Sequence, residues 1–348
     1  MQRCVYILLL VSGLIACSHS SQTQQHATVS KANMLRGEAI STEPVFIRYP
    51  FRVAVKDSIA VVMDLHCDSC YFQAFAYPSW KPIAAFGKHG EAPDEMLSAD
   101  KFQFDSLDSI WTLDANRMEI RRWAIIPKKK SVVLKETITL DKNMVRTLDF
   151  YRTDSCFLVP GYMGDCRFLK VACDGRPIKS IGKIPCTSTH KNVNQPALAQ
   201  AWRSFTDYNP RNGIYAMVTQ LGEVLEIYNL KTNFHVTLFG PNGEPQFSTS
   251  ENHAIPDGIM GFLDVKVTDH YIYTVFQGTS FKDIDRTLQQ GRHSEQGGRN
   301  LYVFSLNGKP VRQYILDRPI CGIDVNEKTH TIIATCVESN RPIVKYII

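Results

Sequence analysis

The chain has 348 residues, of which 44% are hydrophobic and 21% charged, and its formal net charge is +5. That balance excludes a disordered chain, and the mild basic excess is not gathered into Lys/Arg clusters interleaved with aromatics, which excludes a nucleic-acid surface. The densest cationic run, Lys128-Lys129-Lys130 after Pro127, reads as a solvated loop tip.

Residues 1–16 have the layout of an export signal. Arg3 supplies the positive start, Val5 to Val11 an apolar run, and Leu14-Ile15-Ala16 a small-residue site ahead of Cys17. The apolar run is too short to cross ~30 Å of hydrocarbon at ~1.5 Å per residue, and no later stretch approaches ~20 apolar residues. Leu14-Ile15-Ala16-Cys17 resembles the bacterial lipobox, in which cleavage before the cysteine frees its amine and thiol for acylation. The resemblance implies lipidation at Cys17, with the membrane as a partner, and Ser18 in place of an aspartate implies sorting to the outer membrane. Residues 17–37 are rich in Ser, Gln, His and Thr and read as a lipidated flexible tether. No acidic cluster follows Cys17, which points to the periplasmic face and leaves the cell surface as the alternative.

From residue 38 to 348 the pattern is all-β: short runs rich in Val, Ile, Phe and Tyr alternate with Gly, Pro, Asn and Asp turns. They group in fours. The sets open at Phe51, Phe102, Thr147, Leu198 and Phe262, the fourth set taking Leu198–Thr206 as its first strand. A final set from Cys321 has only three strands, so a six-bladed β-propeller is expected, its last blade closed by an N-terminal strand that removes the open edges. Val45–Tyr49 is the expected closing strand, paired beside Ile343–Ile347. Gln277–Asn300 is the longest insertion, with a short helix expected at Lys282–Gln290, and Thr187–Ala197 is a second.

Phe86-Gly87-Lys88-His89-Gly90-Glu91-Ala92-Pro93 recurs about three blade lengths later as Phe239-Gly240-Pro241-Asn242-Gly243-Glu244-Pro245. Both copies follow a fourth strand and read as turns between blades. This motif, with Asp94-Glu95 after it, and the strand period resemble the TolB-like six-bladed propeller lipoproteins of the Bacteroidetes; the sequence departs at Asp94 and Met96, where that family favours Gly and Phe. The resemblance implies a propeller over nearly the whole mature chain and an envelope location, and it carries no agreed activity.

Of the 10 cysteines, eight lie beyond Cys17. Cys67-Asp68-Ser69-Cys70 lacks a second C-x-x-C or a βαβ context, so a hairpin disulfide or free thiols are expected there rather than zinc or redox chemistry. Cys321 with Cys336, and Cys156 with Cys166, are cross-strand bridges or buried thiols.

Function is less legible. No G-x-S-x-G, H-E-x-x-H, P-loop or dinucleotide motif is present, no cofactor or metal set is indicated, and a non-catalytic binding module is expected. Arg52, Lys101, Arg146, Arg203 and Arg318 fall near the beginnings of five inner strands and predict a basic funnel for an anionic glycan or peptide. The enzyme alternative is a metal-dependent lyase or hydrolase using channel residues such as Asp64 with His66, or Asp264 with Asp269 and His270, all of which also suit strand ends. The third reading is a scaffold that recruits an envelope protein.

Overall fold

The computed structural model describes residues 22–25, 32–186 and 193–348. The export signal, Cys17, Ser18 and the first part of the Thr187–Ala197 insertion lie outside the described residues.

Six antiparallel quartets form the ring. Blade 1 takes Pro50–Lys56, Ile59–Asp64, Cys70–Ala76 and Lys81–Lys88, and blade 2 takes Lys101–Ser106, Ser109–Asp114, Glu119–Ile126 and Ser131–Thr139. Blade 3 takes Tyr151–Arg152, Phe157–Pro160, Phe168–Val171 and Pro177–Ile181; blade 4 takes Ser204–Asn209, Ile214–Thr219, Val224–Asn229 and Phe234–Phe239. Blade 5 takes Phe262–Val267, Tyr271–Phe276, Gly298–Ser305 and Pro310–Ile320, and blade 6 joins Ile323–Asn326, Thr331–Thr335 and Ile343–Ile347 to Glu38–Ile40. The first strand of each blade is innermost, contacting the first strands of its neighbours.

Second strands such as Ile59–Asp64 and Ile214–Thr219 are buried along their whole length, because a neighbouring blade covers each face; the outermost Pro177–Ile181 is mostly exposed. Apolar clusters fill the junctions. Phe72, Phe86 and Trp123 join blades 1 and 2, Trp111 with Phe157 joins 2 and 3, and Phe168 with Tyr215 joins 3 and 4. Ile227 with Phe262 joins 4 and 5, Tyr273 with Ile332 joins 5 and 6, and Val62 with Ile333 closes the ring. At about 1.5–3 kcal/mol for each large side chain buried, these junctions hold the blades in register.

The N-terminal chain departs from expectation in two ways. The closing strand is Glu38–Ile40, which pairs antiparallel with Ile343–Ile347 (Ile40 opposite Ile343), and Val45–Tyr49 is not a strand. The backbone N–H groups of Arg48 and Tyr49 are taken by the Asp64 carboxylate at 2.9 and 2.8 Å, and Val45 N–H turns back to Thr42. Ile47 is a wedge in the junction of blades 6 and 1, so the apolar character that suggested an edge strand serves packing instead. Two segments of the stretch expected to be a flexible tether, Gln22–Gln25 and Ala32–Leu35, add parallel to the outer strands of blades 4 and 5. Backbone ladders recruit polar segments without a side-chain signature.

The run Leu198–Thr206 divides into helix α1, Gln195–Ala201, capped by the Asn194 side chain, and the inner strand from Ser204. A hairpin, Phe247–Ser250 with His253–Pro256, packs against α1. Helix α2, Phe281–Gln289, falls where the short helix was expected. The glycine turns are structural. A Cβ on Gly240 would lie 2.1 Å from Glu223, and in the first copy Lys88 and Glu95 clip the turn together at 2.5 Å.

Antiparallel order gives the ring two unlike ends. Connections from a fourth strand to the next blade, and from second to third strands, lie where inner strands begin, and these include 89–100, 182–203, 240–261 and 277–297. Connections at the opposite end are short hairpins such as Asp57-Ser58, Leu107-Asp108 and 268–270.

Candidate functional site

An innermost strand pairs along one edge only, so N–H groups on its other edge need partners. The neighbouring blade supplies them. Asp324 Oδ2 accepts from Val55 N at 2.8 Å, Gln103 Oε1 from Arg152 N at 2.6 Å, and Asp149 from Thr206 N at 3.2 Å. Asp207 Oδ2 accepts from Val267 N at 2.7 Å and Asp264 Oδ2 from Ile323 N at 2.8 Å. Side chains thus staple five of the six junctions around the channel.

Cations neutralise these staples. Arg52 Nε lies 3.5 Å from Asp264, Lys101 Nζ 3.2 Å from Asp149, and Lys266 Nζ 3.2 Å from Asp324. Burial pushes the Asp149 carboxyl up, with Lys101 opposing. Burial alone would lower Lys266, but Asp207 and Asp324 outweigh it and hold the ammonium well above its ordinary value. Arg52 also donates to Leu263 O at 2.6 Å and stacks 3.9 and 4.5 Å from the ring centres of Phe51 and Phe205. It is 5% exposed and floors the channel.

The expected basic funnel is therefore corrected. Arg52 and Lys101 are consumed by carboxylates, and Arg318 lies on the outer strand of blade 5, paired with Asp317 at 2.9 Å and reaching Gly37 O. Arg146 and Arg203 do come near each other; burial first, then Arg146, pushes the Arg203 guanidinium down. Neither lines the channel cavity.

The Asp/His pairs do not converge either. Asp64 binds backbone N–H groups, including that of His66, while Asp269 pairs with Arg211 at 2.8 Å and His270 with Glu327 at 2.9 Å. Among the described residues no group of three or more His, Cys, Asp and Glu is arranged to hold a metal ion. The eight cysteines beyond Cys17 are free thiols, so Cys67-x-x-Cys70 carries no hairpin bridge; Cys156, Cys166, Cys321 and Cys336 are buried, and burial raises Cys321 to about 12.

Above the Arg52 floor the channel widens into a cavity of about 1490 Å³ that opens at the short-hairpin end, between Lys56, Asp154, Arg211 and Lys328. Its wall is aromatic. Trp111, Tyr151, Tyr208 and Tyr271 line it, with Tyr151 edge-on to Tyr208 at 5.5 Å. Burial raises the Tyr151 hydroxyl, which stays protonated and able to donate. Arg152 stacks over Trp111 and Phe157 at 5.6 and 5.4 Å, and its buried Nε and Nη1 have no hydrogen-bond partner among the described residues. Charge at the wall is mixed, since Asp105 lies near Arg152 and is engaged by Gln103 at 2.6 Å. Sequence reasoning missed Trp111, Tyr151, Arg152 and Tyr208; the available signal was an aromatic residue late in the innermost runs of blades 3 and 4.

A ring of six four-stranded blades around a channel that widens into a cavity at the short-hairpin end defines a six-bladed propeller. The chain belongs to the TolB-like 6-blade propeller-like family, which matches residues 30–328. Among solved structures it is similar to a Bacteroides fragilis protein described as exported, at a TM-score of 0.56 and 10% identity over 94% of this chain and 98% of that one. It is also similar to a DUF4221 family member from Bacteroides vulgatus, at 0.54 and 7% identity over 91% and 96%. At such identities the likeness concerns the fold. No curated protein matches the chain.

Proposed function

We propose that the protein is an exported lipoprotein, acylated at Cys17 and held at the periplasmic face of the outer membrane, whose propeller is a non-catalytic binding module for an anionic ligand. The ligand carries a carboxylate and flat apolar faces, the chemistry of an acidic glycan or a peptide terminus. One observation carries the reading: the Arg152 guanidinium, stacked on Trp111 and Phe157 and in no ion pair among the described residues, sits in an aromatic-walled cavity while the cations of the floor are spent on carboxylates. An anion there meets a guanidinium held by ring stacking rather than by a carboxylate, and sugar or peptide faces pack on Tyr151, Tyr208 and Trp111. The cavity volume exceeds the ~300–1,000 Å³ of ordinary small-molecule sites, which suits an oligomer.

A thermal-shift screen of acidic and neutral oligosaccharides and peptides tests this, because a ligand that binds only the native state raises the melting temperature. Acidic ligands are expected to stabilise the wild type and not Arg152→Gln. Equal shifts in both proteins, or shifts with the neutral set alone, overturn the anionic reading. Anchoring is tested separately: Cys17→Ala should leave the detergent phase, and unchanged partitioning refutes acylation at that residue.

A further inference from the structure

We propose that Arg146 and Arg203 form a second anion site, at the end of the ring opposite the cavity mouth, whose ligand is a phosphate dianion, free or carried as a monoester on a lipid headgroup. The site shares no residue with the channel cavity and does not depend on what the cavity binds.

The fold brings the two side chains together. Arg146 lies in the connection from blade 2 to blade 3 and Arg203 ends the connection from blade 3 to blade 4, both at the end where inner strands begin. Between those blades the Asp149 carboxylate clasps Thr206, accepting from its N–H at 3.2 Å and its hydroxyl at 2.9 Å. Arg146 stands three residues ahead of Asp149 and Arg203 three ahead of Thr206, so both reach the same level of the ring. Accordingly the Arg146 charge acts on the Arg203 guanidinium.

Neither charge is spent. Unlike Arg52 and Lys101, neither guanidinium makes an ion pair or a side-chain hydrogen bond among the described residues, and every aspartate and glutamate of the chain is among those residues. Arg203 is partly buried, its Nε enclosed with no hydrogen-bond partner among the described residues. The other group that acts on it is Tyr162 of blade 3, whose hydroxyl burial holds protonated, so it brings no counter-charge. Asp149, which acts on Tyr162, is already taken by Lys101 and Thr206. Two like charges held together, one of them partly desolvated, raise the free energy of the empty site, and an anion lowers it. The backbone of Arg146 is left-handed, with φ of 67°, a conformation that suits glycine better than a residue with a side chain.

Charge and shape select the ligand. A carboxylate brings one charge and fills one guanidinium fork, whereas a phosphate monoester carries about −1.5 to −2 near neutrality and three acceptor oxygens. That is enough for two planar forks at once.

The test is isothermal titration of the full chain in detergent micelles at pH 8 and constant ionic strength, with inorganic phosphate, acetate and dihexanoyl phosphatidic acid. Saturable binding of phosphate and not of acetate is expected. Arg203→Gln should weaken phosphate about tenfold or more, and Arg203→Lys less. Arg146→Gly should weaken it as much while relieving the backbone, so without phosphate this variant should melt no lower than the wild type. Arg152→Gln, in the cavity, should leave phosphate affinity unchanged, which keeps this site separable from that one. Phosphatidic acid bound about tenfold or more tighter than inorganic phosphate, with the same loss in Arg203→Gln, assigns the site to a lipid headgroup; comparable affinities assign it to the free anion. Absence of saturable phosphate binding, equal binding of acetate, affinities of Arg146→Gly and Arg203→Gln within about twofold of the wild type, or loss of phosphate binding in Arg152→Gln overturns the site. A clear fall in the melting temperature of Arg146→Gly without phosphate overturns it too, because the guanidinium would then be serving the fold.

Discussion

The two ends of the channel are built from similar residues put to opposite uses. At the floor, Arg52 and Lys101 meet Asp264 and Asp149, and those carboxylates also take backbone N–H groups of the adjoining blade; Lys266 and Asp324 repeat the arrangement nearer the mouth. At the mouth, Lys56 and Lys328 are exposed and Arg152 is stacked on Trp111 and Phe157, in no ion pair among the described residues. The difference teaches that ionisable residues in a propeller channel are first a structural demand. A ring of innermost strands has unpaired edges, and carboxylates, with the Gln103 amide, are the acceptors that reach them; only the charges left over are available to a ligand.

The comparison breaks most readily at Asp264. Asp264→Ala leaves the Arg52 guanidinium buried without its carboxylate and Ile323 N–H without an acceptor, and removing one partner of a buried pair costs about 3–5 kcal/mol. The urea midpoint of unfolding is expected to fall accordingly, with Asp264→Asn recovering part of the loss because its amide oxygen still accepts. A loss below about 1 kcal/mol would mean that the floor charges are not structural.

A smaller effect distinguishes buried from open ionisable groups by pH. His235 stacks on Tyr228 at 4.0 Å, and burial lowers its pKa from 6.5, Glu226 opposing. The folded state thus binds this proton less readily than the unfolded chain, so the contribution is complete above pH 6.5 and is lost as pH falls below it. His235→Phe keeps the stack and removes the titration. Its stability relative to the wild type is expected to rise between pH 7 and pH 5, measured as the difference in urea midpoints, and a constant difference would contradict the assignment.

Much of the ring could be read from the sequence because its second and third strands are covered on both faces: Ile59–Asp64 and Ile214–Thr219 are apolar enough to mark the period. The closing strand could not, since Glu38–Ile40 is three residues whose selection depends on an open edge beside Ile343–Ile347. Gln22–Gln25 is recruited through a parallel backbone ladder with Val236–Phe239, which leaves no apolar signature in its sequence. Positions of the basic residues were visible, but Arg52 meets Asp264 only because the Arg52 side chain reaches past blade 6 to blade 5 inside the channel, a contact that local spacing does not encode. Which end is open was equally hidden, because it follows from strand direction and from where the long connections fall.

The smallest expected effect sharpens the comparison from the other side. Lys56 and Lys328 are exposed and neither side chain makes an ion pair among the described residues, so each substitution by alanine should change stability by no more than about 0.5 kcal/mol. Their influence should appear in association. A rim charge acts on the approach of an anion more than on its final contacts, so the double variant Lys56→Ala/Lys328→Ala is expected to slow binding and flatten its salt dependence while leaving dissociation nearly unchanged. Stopped-flow mixing with a ligand found by thermal shift, at two ionic strengths, separates the two rates. If the double variant instead unfolds at clearly lower urea, the mouth is stapled as the floor is, and the division between spent and available charge fails. If association is unchanged at both ionic strengths, the rim does not steer, and recognition rests on Arg152 and the aromatic wall alone.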